Sequence, residues 1–337
     1  MAAELPRVEA CPQCGTQLAA TMLACPSCAR LVHADQLAAL AEEAKAAGDR
    51  RDVSAALAAW REALELLPTR SRQHQVISAK ITELGRSIPF TAGPAGAAGE
   101  KRSVALRIMT GASLVGVSLW KLKALLLGLT KGTTLLSMLL SLGVYWTAWG
   151  WKFALGLVLS IYVHEIGHVI ALRRYGFKAS APMFVPGLGA LIRLQQQVVS
   201  PLEDAAIGLA GPIYGLGAAA FALGLWLATD SQIFVAIASV GAWINLFNLL
   251  PVATLDGGRG FHAMSRVQKL LAAITAASAW LCAQDGLLTL LAIVCAWRTV
   301  TDKSDQAGSW RTTAVYCLLV VVLTAIAAAR TQAGLEA

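Results

Sequence analysis

Hydrophobic positions along this chain fall into two regimes. From Ala34 to Ile88 apolar residues recur at helical spacing among charges. That pattern predicts three amphipathic helices, Ala34–Ala47, Val53–Leu67 and Ser71–Ile88, parted by Gly48-Asp49 and by Pro68. Beyond Val104 the apolar runs lengthen and lose their polar face, as helices do when lipid or protein surrounds them. Spans are predicted at Thr133–Trp151, Phe153–Leu172, Ala205–Ala228, Ile233–Leu250 and Thr313–Ala329. Residues 267–298 read as two short helices turning at Gln284-Asp285, in preference to one tilted helix, which makes six or seven crossings. Val104–Lys131, interrupted by Arg107, Lys121, Lys123 and Lys131, suits a helix lying on an anionic membrane face. Residues 89–103, rich in Gly, Ala and Pro, read as a linker.

One stretch resists both periods. Within Ala179–Gln197, Pro182, Pro186, Gly187 and Gly189 forbid a continuous helix, while the apolar residues around them suit a hairpin dipping into the bilayer. As structure alone such an element reads as a re-entrant packing loop. Arg173-Arg174 follows Phe153–Leu172 at once and places the end of that helix in the cytoplasm by the positive-inside bias.

Composition sharpens this organisation. The 337 residues are 56% hydrophobic and 14% charged, with mean hydropathy +0.60, values that exclude an ordinary soluble domain. Up to Ser103 bases and acids nearly cancel, so the surplus behind the net charge of +8 lies beyond it, where positive loops of a membrane protein account for it better than nucleic-acid binding does. Met1–Pro12 has no apolar core, so no signal peptide is expected and the N-terminus is expected in the cytosol. The expected class is an all-α polytopic membrane protein, with a membrane-dipping β-hairpin and a small soluble head.

That head divides in two. Residues 1–32 carry Cys11, Cys14, Cys25 and Cys28 as two Cys-Pro-x-Cys knuckles, the donor set of a closed four-thiolate zinc ribbon. Two disulfides are the alternative, which a reducing compartment disfavours. With no open coordination position, this zinc is expected to be structural. Residues 33–88 form the helical segment, in which Ala56, Trp60, Ala63 and Pro68 match the second helix of a tetratricopeptide repeat. One such unit is too few for an array. The segment is either a docking site for a cytosolic protein or a helical spacer. Cys282, Cys295 and Cys317 read as small buried hydrophobes.

The chemistry sits in Phe153–Leu172. His164, Glu165 and His168 are ionisable groups inside a membrane-length helix, which marks a functional site. Four residues apart on a helix, the two imidazoles share a face and can hold zinc, with Glu165 as general base for a water the metal activates. A hydrolytic zinc site needs a third protein ligand. Glu203, Asp204, Asp256 and Asp285 are the acids in or beside the central spans, and Asp256 reaches the same depth as the histidines. Pro251 breaks the chain before it, and Gly257-Gly258 permit close backbone approach. Read from the residues alone, Asp256 is either this ligand or a helix cap.

His164-Glu-Ile-Gly-His168, together with Asn248, Pro251, Leu255, Asp256 and Gly257 in order, resembles the site-2 protease family of intramembrane zinc metalloproteases. Gly211, Pro212 and Gly215 are similar to that family's small-residue helix-packing motif. The resemblance covers roughly residues 135–259. It implies that His164, His168 and Asp256 bind zinc, that Glu165 is the catalytic acid and base, and that Asn248 orients the substrate. It implies a domain 104–337 that hydrolyses peptide bonds in or near the transmembrane segments of other proteins, in a multi-pass protein of a bacterial cell membrane. No PDZ-sized insert separates the two motifs, and the cysteine ribbon and helical segment stand in front instead. The alternative is a membrane-anchored adaptor with a non-catalytic zinc site.

Overall fold

The computed structural model describes residues 10–19, 21–89, 132–178, 183–185, 189–191, 198, 200–252, 254–302 and 308–329. Residues 90–103 of the expected linker, the helix expected at 104–131, and Pro182, Pro186 and Gly187 lie outside them. The chain forms two compact units. One comprises Met1–Pro89, Leu172–Lys178 and Gln195–Glu203; the other comprises Phe90–Ala171, Ala179–Leu194 and Asp204–Ala337.

In the first unit the two cysteine knuckles repeat one backbone design. Each is closed by an antiparallel bridge, Ala10 to Gln17 and Ala24 to Leu31. In each, the residue after the second cysteine takes a left-handed conformation, Gly15 at φ +70° and Ala29 at φ +58°. Helices α1 (Ala34–Asp49), α2 (Val53–Glu65) and α3 (Arg72–Arg86) follow. Asp52 accepts a hydrogen bond from the Ala55 amide and Ser71 one from the His74 amide, which satisfies donors that the starts of α2 and α3 leave over. The face of α2 made by Ala56, Leu57, Trp60 and Ala63 is buried. It packs against α1 and α3 as one helical hairpin with a third helix added.

The second unit is helical apart from one two-stranded hairpin. Its elements are α4 (Gly132–Trp149), α5 (Trp151–Arg174), β1 (Met183–Val185), β2 (Gly189–Leu191), α6 (Pro201–Thr229) and α7 (Gln232–Asn248). They continue with α8 (Asp256–His262), α9 (Arg266–Ala283), α10 (Gly286–Thr301) and α11 (Trp310–Ala327). Gly150, at φ +80°, breaks α4 from α5, a conformation that a side chain would strain. The strands pair antiparallel with Phe184 opposite Ala190, and β1 lies along α4.

Three helices, α5, α6 and α11, are long and apolar enough to cross a membrane; Leu136–Trp149, α7 and α10 are apolar but shorter. Against the expected six or seven crossings, three helices among the described residues have the length and composition of a membrane span. Residues 267–298 form two helices, turning where expected. Gln284 is left-handed at φ 52°, and Asp285 caps α10 through the Leu287 amide. Lys269, buried at the start of α9, donates to Asp302 at 2.5 Å and so ties that helix to the end of α10. α7, α9, α10 and α11 enclose a core of Leu246, Leu249, Leu291, Tyr316 and Leu323. Leu155, Phe221, Ile274, Ile293 and Val321 face outward, as they do on helices bathed in hydrocarbon.

Candidate metal centre

α5 places His164 and His168 one turn apart, with ring centroids 4.9 Å apart. Each ring is held by its Nδ1. Asn245 of α7 donates through its Nδ2 to the Gly241 carbonyl at 2.7 Å, which turns its Oδ1 toward His164 Nδ1, 2.8 Å away. An amide oxygen only accepts, so His164 carries its proton on Nδ1. The Ile207 carbonyl, 2.8 Å from His168 Nδ1, assigns the second ring the same tautomer. With Nδ1 engaged in each ring, the two Nε2 atoms are the ones turned to each other, 3.1 Å apart.

Asp256 completes the group. Its Oδ2 lies 3.1 Å from His164 Nε2 and 3.3 Å from His168 Nε2. Three ligand atoms this close need a positive charge among them, which a bound metal ion supplies. A tetrahedral zinc about 2.0–2.1 Å from each ligand holds neighbouring ligands about 3.3–3.4 Å apart, close to the observed edges. Imidazoles oriented through Nδ1 by an amide and a main-chain carbonyl are the usual support of such a site.

α6 leaves the volume that an ion needs. At Gly211 a Cβ would lie 2.6 Å from His164 Nε2 and closer still to His168 Nε2. Gly211 had suggested helix packing; its place makes it the wall of the metal cradle. Packing falls instead to Gly167, whose absent Cβ lets α5 approach the Ala210 carbonyl, and to Gly215, which lies against Asn245. Pro212 removes one main-chain hydrogen bond of α6 beside the cradle.

The chain break before Asp256 is anchored at two points. Gly257 begins α8 against the Leu249 carbonyl, where a Cβ would not fit. Tyr316 of α11 donates to that same carbonyl at 2.6 Å and meets Phe261 edge-on at 5.4 Å. The other three acids are engaged elsewhere. Glu203 pairs with Arg61, Asp204 accepts from Arg259 Nε at 2.7 Å, and Asp285 caps α10. Glu165 is buried between the two histidines in sequence. Asn248 is the last residue of α7, and the hydrogen bond to the ring comes from Asn245, one turn earlier.

Cys11, Cys14, Cys25 and Cys28 form the second donor cluster, their sulfurs all within 4.8 Å of one another. Sulfur pairs 3.5 and 3.6 Å apart are free thiols, far beyond the roughly 2.05 Å of a disulfide. They match the edge of about 3.8 Å that zinc bound at about 2.3 Å to each sulfur imposes. The Thr16 hydroxyl and amide hold the Cys14 thiol down at about 6. Although the Arg30 amide draws its pKa down, burial and the neighbouring thiols push Cys28 up to about 12.

Asn245 and Gly211 were missed as site residues. An asparagine buried in an otherwise apolar helix was the available signal for the first. Nothing in spacing marks Gly211, because its role is to leave space for groups on another helix.

Residues 152–231 match Peptidase family M50; the matched stretch includes His164, Glu165, His168 and Gly211 and ends before Asp256. The chain is 27% identical over 126 residues to "Zinc metalloprotease MJ0392" of Methanocaldococcus jannaschii, covering 34% of each chain. It is 34% identical over 125 residues to "Putative zinc metalloprotease Rip3" of Mycobacterium tuberculosis, covering 34% of this chain and 31% of the relative. The chain thus spans about a third of the length of the curated relatives it matches. No solved structure matches it at a significant level.

Proposed function

We propose, starting from the Peptidase family M50 match over α5 and α6, that this chain is a multi-pass membrane zinc metallopeptidase of the site-2 type. It hydrolyses peptide bonds in or near transmembrane segments of other membrane proteins, close to the cytoplasmic side. The observation that carries the reading is the convergence of His164 Nε2, His168 Nε2 and Asp256 Oδ2 around a space that Gly211 keeps open.

His164, His168 and Asp256 would hold a zinc ion, which would supply Lewis acidity toward a scissile carbonyl and lower the pKa of a bound water. Glu165 would serve as general base toward the attacking water and as general acid toward the leaving amine. Asn245 and the Ile207 carbonyl keep both rings in the tautomer that leaves Nε2 free. Asn248 orients the substrate backbone. A helical substrate hides its carbonyls and must unwind, and the β1–β2 hairpin offers a main-chain edge that an extended segment can join. The four-cysteine head holds a second, structural zinc and faces cytosolic proteins.

Glu165→Gln tests this. Purified protein in liposomes should lose cleavage of a transmembrane substrate while keeping its zinc. Activity that survived with metal intact would remove Glu165 from its role, whereas an adaptor would keep its cellular effect without it.

A further inference from the structure

We propose that Arg61 is a positioning residue, binding the N-terminal helices to both chain segments that flank the β1–β2 connection and so setting how tightly substrate is held. The inference rests on the peptidase reading above. Three contacts made by one buried guanidinium motivate it. Arg61 Nε donates to the Tyr175 carbonyl at 2.9 Å, just past the end of α5. Its Nη2 donates to Glu203 Oε2 at 2.7 Å, in the first turn of α6. Its plane stacks on the Phe177 ring, with Cζ 3.6 Å from the centroid. Arginine suits this role because its planar fork can bind a carboxylate and stack at the same time.

The surrounding residues are shaped for the same contact. Gly176 takes φ +72°, and a Cβ there would lie 2.5 Å from the Ala58 amide nitrogen, so the backbone of α2 rides directly on the turn after α5. Ser54 of α2 donates to the Arg174 carbonyl at 2.8 Å. Carbonyls at a helix end lack partners within the helix, and here α2 supplies them together with a positive charge that suits the negative end of the helix dipole. Gly85 of α3 lies against the Glu203 carboxylate, leaving no room for a methyl group. Lys178 adds an exposed pair with Glu62 at 2.7 Å, which contributes little.

All these contacts fall on Arg174–Lys178 and on Glu203, the stretches on either side of the connection that carries β1 and β2. α5 and α6 do not need them to form the metal centre, since Gly167 against Ala210 and Gly211 against the rings already fix that packing. What Arg61 adds is a fixed separation between the two ends of the hairpin connection. With the separation of Tyr175 and Glu203 no longer fixed, Glu165 still acts, but the β1–β2 edge that lies between them in sequence is poorly placed. The expected signature is therefore a raised KM with an unchanged kcat.

The test uses the full chain in phosphatidylethanolamine/phosphatidylglycerol liposomes. The probe is a single-pass helix of about 20 apolar residues with a central Gly-Pro break and a fluorophore–quencher pair. Arg61→Gln should raise KM about tenfold, a displacement effect of the kind that misplaced positioning groups produce, with kcat and zinc content unchanged. Arg61→Lys, which keeps the charge near Glu203, should recover part of the loss. If Arg61→Gln fails to fold, Arg61→Met with Glu203→Gln removes both charges, leaves neither unpaired, and should show the same rise. The binding arm repeats the comparison in Glu165→Gln protein, reading probe affinity from the change on mixing, before any cleavage. Weaker binding there supports the clamp even if Glu165→Gln refutes the peptidase reading by remaining active. Unchanged KM and affinity, or parallel losses of zinc, thermal stability and kcat, would overturn the proposal, because the latter mark a purely structural staple.

Discussion

Gly211→Ala puts the metal centre to its sharpest test, because the substitution adds one methyl group and favours the helix that receives it. Alanine in place of glycine in a helix interior is worth about 1 kcal/mol in favour of α6, so helix stability works against any loss seen. The new Cβ would lie 2.6 Å from His164 Nε2 and nearer to His168 Nε2. Ordinary carbon–nitrogen contact needs about 3.4 Å, so the rings must retreat by about 0.8 Å. That is about four times the roughly 0.2 Å by which a zinc–ligand distance tolerates departure. Since zinc sits about 2.0–2.1 Å from each imidazole nitrogen, the methyl group takes essentially the ion's own position. Elemental analysis of purified protein should find about two zinc ions per chain in the wild type and about one in the variant, the ribbon's ion remaining. Cleavage of a reconstituted transmembrane substrate should fall by at least about 100-fold, the scale on which a displacement near 1 Å acts. A variant that kept both ions and its activity would show that the metal does not lie among His164, His168 and Asp256.

Further expectations concern the supports of the two zinc sites. Asn245→Ala removes the acceptor at His164 Nδ1 and should weaken catalytic zinc about 10–100-fold in chelator competition, with the ribbon's ion unaffected. In metal-free protein, Cys14 should be alkylated with a midpoint near pH 6, because its lowered pKa keeps it a thiolate well below the pH at which Cys28, pushed up to about 12, ionises. Mass spectrometry of iodoacetamide-treated peptides reads both, and equal rates across pH 6–9 would contradict the thiolate at Cys14. Ala29→Gly relieves a left-handed alanine at the position that Gly15 fills in the other knuckle, and should tighten the ribbon's zinc by about 1 kcal/mol, roughly fivefold.

The chain's sequence by itself determined the helices and the donors. Apolar runs without a polar face, stopped by Pro251 and by Gln284-Asp285, marked the elements to within a few residues. Such signals are local: main-chain hydrogen bonding and side-chain periodicity act over one or two turns. The two histidines were legible for the same reason, being one turn apart on one helix. Asp256 lay 88 positions beyond His168 and stayed open between ligand and cap when read from the residues alone. Only tertiary packing sets its carboxylate beside the two rings, by bringing the break after α7 against α5. It also decided which asparagine holds a ring, Asn245 being turned inward while Asn248 closes the helix. Gly211 and Arg61 show the limit most plainly. The work of the first is the space it leaves for groups on α5, and that of the second depends on a carbonyl and a carboxylate more than a hundred residues away. A residue whose function is a distance to another part of the chain acquires that function only when the chain has folded.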